Sequence, residues 1–321
     1  MGWKGTVRSV SAAMRAAERE AERRRKAEFK AQQIEEAGQA VDDWKQYLDD
    51  IISVHTDKAD DINWQSIANA PPLVEPKPEK RHQAEALANI ENFQPRIFDF
   101  VFGGTSRRRE RLDAALADAI AADSDEFARK RSEYLIAEQE REEDAHLATR
   151  VLDGEKSAYS EVISVLYDGE ELYLGQSIQF KIDDNSVHAM PLVSEADDIV
   201  PTFRLKQLQS GKLSKTKMPK GEFNELYQDY VCSVALRLAG DIFGNLPLDE
   251  CHVTCSATML NTKTGHLEDA PILSVLFVRD TFERLNLSGL DPSDSLANFN
   301  HEMNFRKTKG FERIEPLKPT D

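Results

Sequence analysis

At 321 residues the chain has room for two domains, and its 40% hydrophobic content permits one sizeable core without requiring every segment to be globular. A charged content of 31% favours long solvated helices, and a formal charge of −16 argues against a general nucleic-acid coat while leaving local basic patches able to hold phosphate. Three cysteines, few and odd in number, are unlike a secreted disulfide framework and suit a reducing compartment.

The opening MGWKGTVRSVSAAMRAAERE turns charged too early for a signal-peptide core, and no run approaches the roughly 18 apolar residues of a membrane span, so a cytoplasmic protein is expected. From Val7 to about Ile52 there is no proline and a single glycine, Gly38, in a background of Ala, Arg, Glu and Lys. The default is one long helix filling a first segment, 1–62. Its apolar seam runs through Val7, Val10, Met14, Ala17 and Ala21, then Phe29, Ala37, Val41, Trp44, Leu48 and Ile51. The eight-residue step from Ala21 to Phe29 breaks heptad phase, which predicts a coiled coil with a discontinuity. Basic residues Arg23, Arg24, Arg25 and Lys26 precede acidic Glu35, Glu36, Asp42, Asp43, Asp49 and Asp50, a gradient that favours antiparallel pairing with a like helix.

Residues 63–104 read as a linker with short docking helices. Trp64 and Ile67 form an anchoring turn, Pro71, Pro72, Pro76 and Pro78 an extended semi-rigid piece, and AEALANIENF a short helix. Ile97, Phe98, Phe100, Val101 and Phe102, stopped by Gly103 and Gly104, form an apolar docking plug. From 105 to 153 neither Gly nor Pro occurs, so a second long helix follows, and the two long helices are most simply an antiparallel coiled-coil arm. Asp123-Ser124-Asp125 offers the alternative of a break into an αα-hairpin.

Residues 154–321 form an α+β domain with a mainly antiparallel sheet. A short helix at 156–167 gives way to period-two segments, QSIQFKI and VHAMPLV, joined at Asp183-Asp184-Asn185 as a hairpin, with VPTFRLKQL a further extended piece. A lysine-rich loop leads to MPKGEFNELYQDYVCSVALRLAGDIFGN, whose apolar residues recur at helical spacing. CHVTCSATML and PILSVLFVR then form a second hairpin for this helix to cover. Asp280 with Glu283 reads as a capping box, and Asp291-Pro292 as an N-cap with proline at the first helical position.

The chemistry-bearing motifs are weak. In CHVTC, Cys251, Val253 and Cys255 share one strand face and His252 the other, so buried structural cysteines are expected and no metal site or cofactor. NHEMNF lacks the second histidine of a zinc-protease helix, having Phe305 there. Asp168 with Gln179-Phe180-Lys181 is a loose echo of a restriction-endonuclease-like site. The best-supported surface is basic: Lys212, Lys215, Lys217 and Lys220 before the central helix, and Arg306, Lys307 and Lys309 near the end. Convergence of these would hold a phosphate-bearing or acidic partner.

The stretches GWKGTVRSVSAAMRAAERE, GKLSKTKMPKGEFNELYQDYVCSVALRLAGDIF and TGHLEDAPILSVLFVRDTFERLNLSGLDPSDSLANF, with FRKTKGF, resemble an uncharacterised family of bacterial proteins. The hairpin-and-helix part also looks like a C-terminal module appended to other bacterial proteins. The resemblance implies an architecture and no catalytic residues. The expectation is a non-enzymatic interaction or scaffold protein, binding a protein partner or itself through the coiled-coil arm. The alternative is a nucleic-acid-associated factor, in phage defence, using the lysine loops.

Overall fold

The structure, a computed structural model, describes residues 3–94, 104–167, 175–183 and 186–318. The chain divides into two compact units, residues 1–62 with 156–321, and residues 63–155. Helix α1 (Trp3–Ile52) opens the first unit and extends about 75 Å at 1.5 Å per residue. Residues 20–36 are exposed on every side of it, laced by Glu20–Arg24 (2.7 Å) and Glu22–Lys26 (2.6 Å). From Ala37 onward the seam is consumed by the core of its own unit: Ala37, Val41 and Ile51 are buried, Trp44 and Leu48 partly so.

The second unit consists of α2 (Trp64–Ala68), α3 (Arg81–Glu91) and α4 (Gly104–Leu152). Asn63 caps α2 by accepting from the Ser66 amide at 2.9 Å, and Trp64 is buried. The proline segment lies along α4. The Leu73 amide donates to Glu138 Oε2 (2.9 Å), and Arg141 bridges Glu138 (2.7 Å) and the Ala70 carbonyl (3.3 Å). Helix α4 runs unbroken through Asp123-Ser124-Asp125. The acid that suggested a break serves elsewhere: Asp123 accepts from the His82 (3.0 Å) and Gln83 (2.8 Å) amides, capping α3 from a neighbouring helix. Substituting Asp123→Ala is therefore expected to remove amide-exchange protection at His82 and Gln83 and leave that of the middle of α4 unchanged. The cluster from Ile97 to Phe102 lies outside the described residues.

The first unit continues with α5 (Lys156–Leu166), β1 (Ser177–Asp183), β2 (Ser186–Leu192), α6 (Ala196–Ile199), β3 (Phe203–Gln207), β4 (Leu213–Lys217) and α7 (Lys220–Asn245). It ends with β5 (Glu250–Leu260), β6 (Leu267–Val278), α8 (Arg279–Phe282), α9 (Pro292–Ser295), β7 (Asn300–Arg306) and β8 (Gly310–Glu312). Strands β1-β2-β5-β6-β7-β8 form one six-stranded mixed sheet, and β3-β4 a separate hairpin. The β2–β5 ladder is parallel and the other ladders of the sheet are antiparallel. Half of the expected lysine loop is thus strand β4. Asp291 does cap α9, accepting from the Asp294 amide at 3.0 Å with Pro292 following, whereas α8 begins after Val278 without a side-chain cap.

Helix α7 is the centre of this unit. Residues 230–243 are buried all round, because strands β5 and β6 cover one side and the end of α1, with the 3-10 turn Val54–Thr56, covers another. Cys251, Val253, Cys255, Leu273, Val275 and Phe277 are buried among the sheet residues, and burial pushes all three thiols up, Cys232 included. A polar stripe runs along α7 at every fourth residue, Ser233, Arg237, Asp241 and Asn245; the segment that leaves α1 meets the first three, and Asn245 Nδ2 donates to the Asp241 carbonyl at 2.8 Å. The Ala59 amide donates to Asp241 (2.7 Å), and the Ile62 amide to the Gly244 carbonyl (2.9 Å). The His55 amide donates to Ser233 Oγ (2.9 Å), so the hydroxyl is free to donate to His55 Nδ1 (2.8 Å), and Nε2–H then donates to the Leu287 carbonyl (2.9 Å). That network needs a neutral ring, in keeping with burial pushing the His55 pKa down.

Candidate functional site

The seven predicted cationic residues are all exposed, and the fold gathers part of the set. Lys215 and Lys217 pair with Leu205 and Phe203 on the β3–β4 hairpin and share a face with Leu213. The Lys215 ammonium sits 3.6 Å from the centre of the Phe203 ring. Met218 alone separates Lys217 from Pro219, the N-cap of α7, and Lys220 is that helix's first residue. The β7–β8 turn returns to the same place, where Asn224 Nδ2 donates to the Lys307 carbonyl at 2.7 Å. Lys307 lies over Gly221, where a side chain would crowd its Cε, and its ammonium meets Glu225 at 2.5 Å.

Lys217, Lys220 and Lys307 therefore gather at the positive end of a long helix dipole. Lys309 pairs with Glu312 (3.6 Å), and Arg204 takes Glu222. Among the described residues Lys212, Lys215, Lys217, Lys220 and Arg306 have no ion-pair partner. Lys212 stands apart at the hairpin tip, about 17 Å along the strand from Lys217. The arrangement suits an extended anionic surface more than a closed phosphate pocket.

The face of the large sheet opposite Cys251, Val253 and Cys255 holds residues, His252, Thr254 and Ser274 buried among them, that single-strand reasoning does not connect. Register aligns Lys181, His188 and His252 across β1, β2 and β5. His188 Nε2 lies 2.8 Å from Thr254 Oγ1, which lies 3.0 Å from Ser274 Oγ, and the Leu317 amide donates to Ser274 Oγ at 3.2 Å. The two imidazoles meet edge-on at 5.4 Å, and burial pushes His252 down in pKa, against the nearby Glu250. Alternation in CHVTC places His252 on this face, but its neighbour His188 follows only from the parallel ladder. Among the described residues no group of three or more His, Cys, Asp or Glu is placed to hold a metal ion. Asp168 lies outside the described residues, while Gln179 and Lys181 lie on edge strand β1.

On the flank of α7, Asp229 has its carboxyl pushed up to about 6, first by burial and then by Asp291, Glu225 and Asp294, against a Ser293 hydrogen bond that favours the charged form. The folded state holds this proton more tightly than the unfolded chain. Stability from the protonated group is complete below about pH 4 and lost as pH rises through about 6. Asp229→Asn is expected to raise stability at pH 7.5 by about 1–2 kcal/mol after allowance for solvent screening, with no gain at about pH 4, as read by urea titration at the two pH values.

No protein-family model, curated protein or solved structure matches the chain. No described helix is long and apolar enough to cross a membrane.

Proposed function

We propose that the chain is a non-enzymatic interaction or scaffold protein of a cytoplasmic bacterial multiprotein system, engaging a protein partner or a second copy through its long helices. The observation that carries this reading is residues 20–36 of α1, exposed all round with Phe29 at 63% exposure. Ile34 touches the β3–β4 hairpin near one end of this stretch; a helix so little packed is marginal in water, and its exposed ion pairs contribute only about 0.3–0.5 kcal/mol each. Such a stretch gains most from a partner helix, and its basic-then-acidic order suits an antiparallel coiled coil. Helix α4 repeats the feature, with Ile120, Leu135 and Ile136 exposed. A partner held this way stays bound as salt rises and is lost from a Phe29→Glu, Leu135→Glu chain. A partner that leaves with salt and ignores both substitutions contradicts the reading.

A second reading, a nucleic-acid-associated factor in phage defence, is favoured by the gathering of Lys217, Lys220 and Lys307 at the start of α7. It requires steep salt dependence. With four phosphate contacts, duplex DNA affinity falls on the order of 100-fold between 50 and 200 mM salt. Changing Lys215, Lys217, Lys307 and Lys309 to Glu abolishes the binding. A shallow slope in an anisotropy titration removes this reading.

A further inference from the structure

Where α1 leaves the body of its unit, a cleft of 570 Å³ opens between the helix and the tip of the β3–β4 hairpin. Lys30, Ile34 and Ala37, spaced along one helix face, form one wall, and Gly211, Lys212 and Leu213 form the other. The walls are joined at the base. Gln207 Nε2 donates to the Ile34 carbonyl at 2.6 Å, and Gly211, at φ +81°, lies so close to Ile34 that a Cβ would overlap its side chain. Apolar surface stays open inside: Ile34 is 40% and Leu213 44% exposed. Lys30 and Lys212 stand at the rim with no ion-pair partner among the described residues, whereas Glu36, which also lines the cleft, accepts from Gln32 at 2.8 Å.

We propose that this cleft receives an acidic amphipathic peptide segment of a protein partner, a bulky apolar side chain resting on Ile34 and Leu213 and flanking carboxylates meeting Lys30 and Lys212. The proposal rests on the interaction reading and names the partner's chemistry. The cleft has two walls, so a small ligand would stay largely in water, whereas a peptide brings its own cover. A nucleic acid would satisfy the lysines but leave the apolar floor unmatched beside Glu36. The paired lysines set orientation and charge preference, and the floor supplies the buried area.

The test is selection of displayed random peptides, about 16 residues long, on the full chain. Enriched sequences are expected to carry Asp or Glu within a helical turn of Leu, Ile or Phe. A synthetic peptide of that sequence binds the Lys30→Glu, Lys212→Glu chain about tenfold more weakly or worse, and its Lys-substituted counterpart recovers binding to that variant. Leu213→Ser, at an exposed position, weakens both. Enrichment of peptides without acids, absence of any enriched peptide, or equal binding to the doubly reversed chain overturns the proposal. A doubly reversed chain that still captures its cellular protein partner in full overturns the cleft alone, whereas a wild-type chain that captures none overturns the interaction reading itself.

Discussion

Substituting Asp241→Ala is expected to destabilise the unit built from residues 1–62 and 156–321 by about 3–5 kcal/mol. Asp241 is 2% exposed and accepts from Arg237 Nε at 3.0 and 2.8 Å, the Ala59 amide at 2.7 Å and the Tyr167 hydroxyl at 3.1 Å. Its removal leaves the buried Arg237 guanidinium near Asp57 at 3.4 Å, a carboxylate almost wholly in water, and strips the Ala59 amide of its acceptor. Uncompensated burial of that charge and that donor is the source of the loss, not the net value of the ion pair. A double change, Arg237→Met with Asp241→Leu, is therefore expected to recover the part of the loss that comes from the buried Arg237 charge, while the part from the Ala59 amide remains. Urea titrations of both variants decide it, and a single variant within about 1 kcal/mol of wild type would contradict this account of α7.

Phe277→Ala is expected to cost a similar amount, about 3–5 kcal/mol, by a different route. Phe277 is fully buried on β6, and its ring meets Phe299 edge-on at 4.8 Å and Phe282 at 6.0 Å, while Phe282 meets Phe243 at 5.5 Å. The cluster joins the end of α7, the sheet, α8 and the approach to β7, so truncation opens a cavity where elements distant in sequence converge. Phe277→Leu fills most of that space and should cost less than half as much. Thermal unfolding of the two variants at one pH gives the comparison, and equal losses would show that the ring's shape, not its volume, is what matters.

Helix α7 and the β5–β6 hairpin were legible because each carries one period over a long run, and burial on both sides of α7 enlarged its apolar stripe. The long helices α1 and α4 were legible from the absence of Pro and the near absence of Gly, Gly38 being the one glycine between Val7 and Ile52 and none falling between 105 and 153. The use of their faces was not: Ala37, Val41 and Ile51 read as a coiled-coil seam, yet the structure commits them to the core of their own unit. Asp123 looked like a break because a helix-disfavouring acid and a cap for another helix have the same letter; only the approach of α3 distinguishes them. Strand β4 was hidden because Leu213, Lys215 and Lys217 point the same way on an exposed ribbon, where no burial enforces alternation. The β2–β5 pairing is not legible in the sequence, since a parallel ladder joins segments separated by α6, β3, β4 and α7, and the His188–Thr254–Ser274 chain depends on it. The basic residues were found by composition, but their division into a group at the start of α7 and a lone Lys212 at the cleft required the fold.

The interaction reading is tested most directly by capturing the tagged full chain from its native cells, with and without nuclease, beside a Phe29→Glu, Leu135→Glu chain of equal helicity. The account predicts a stoichiometric protein partner that survives nuclease and is absent from the variant. Recovery of nucleic acid alone, lost on nuclease treatment and indifferent to the two substitutions, would contradict it and move the function to the lysines around the start of α7.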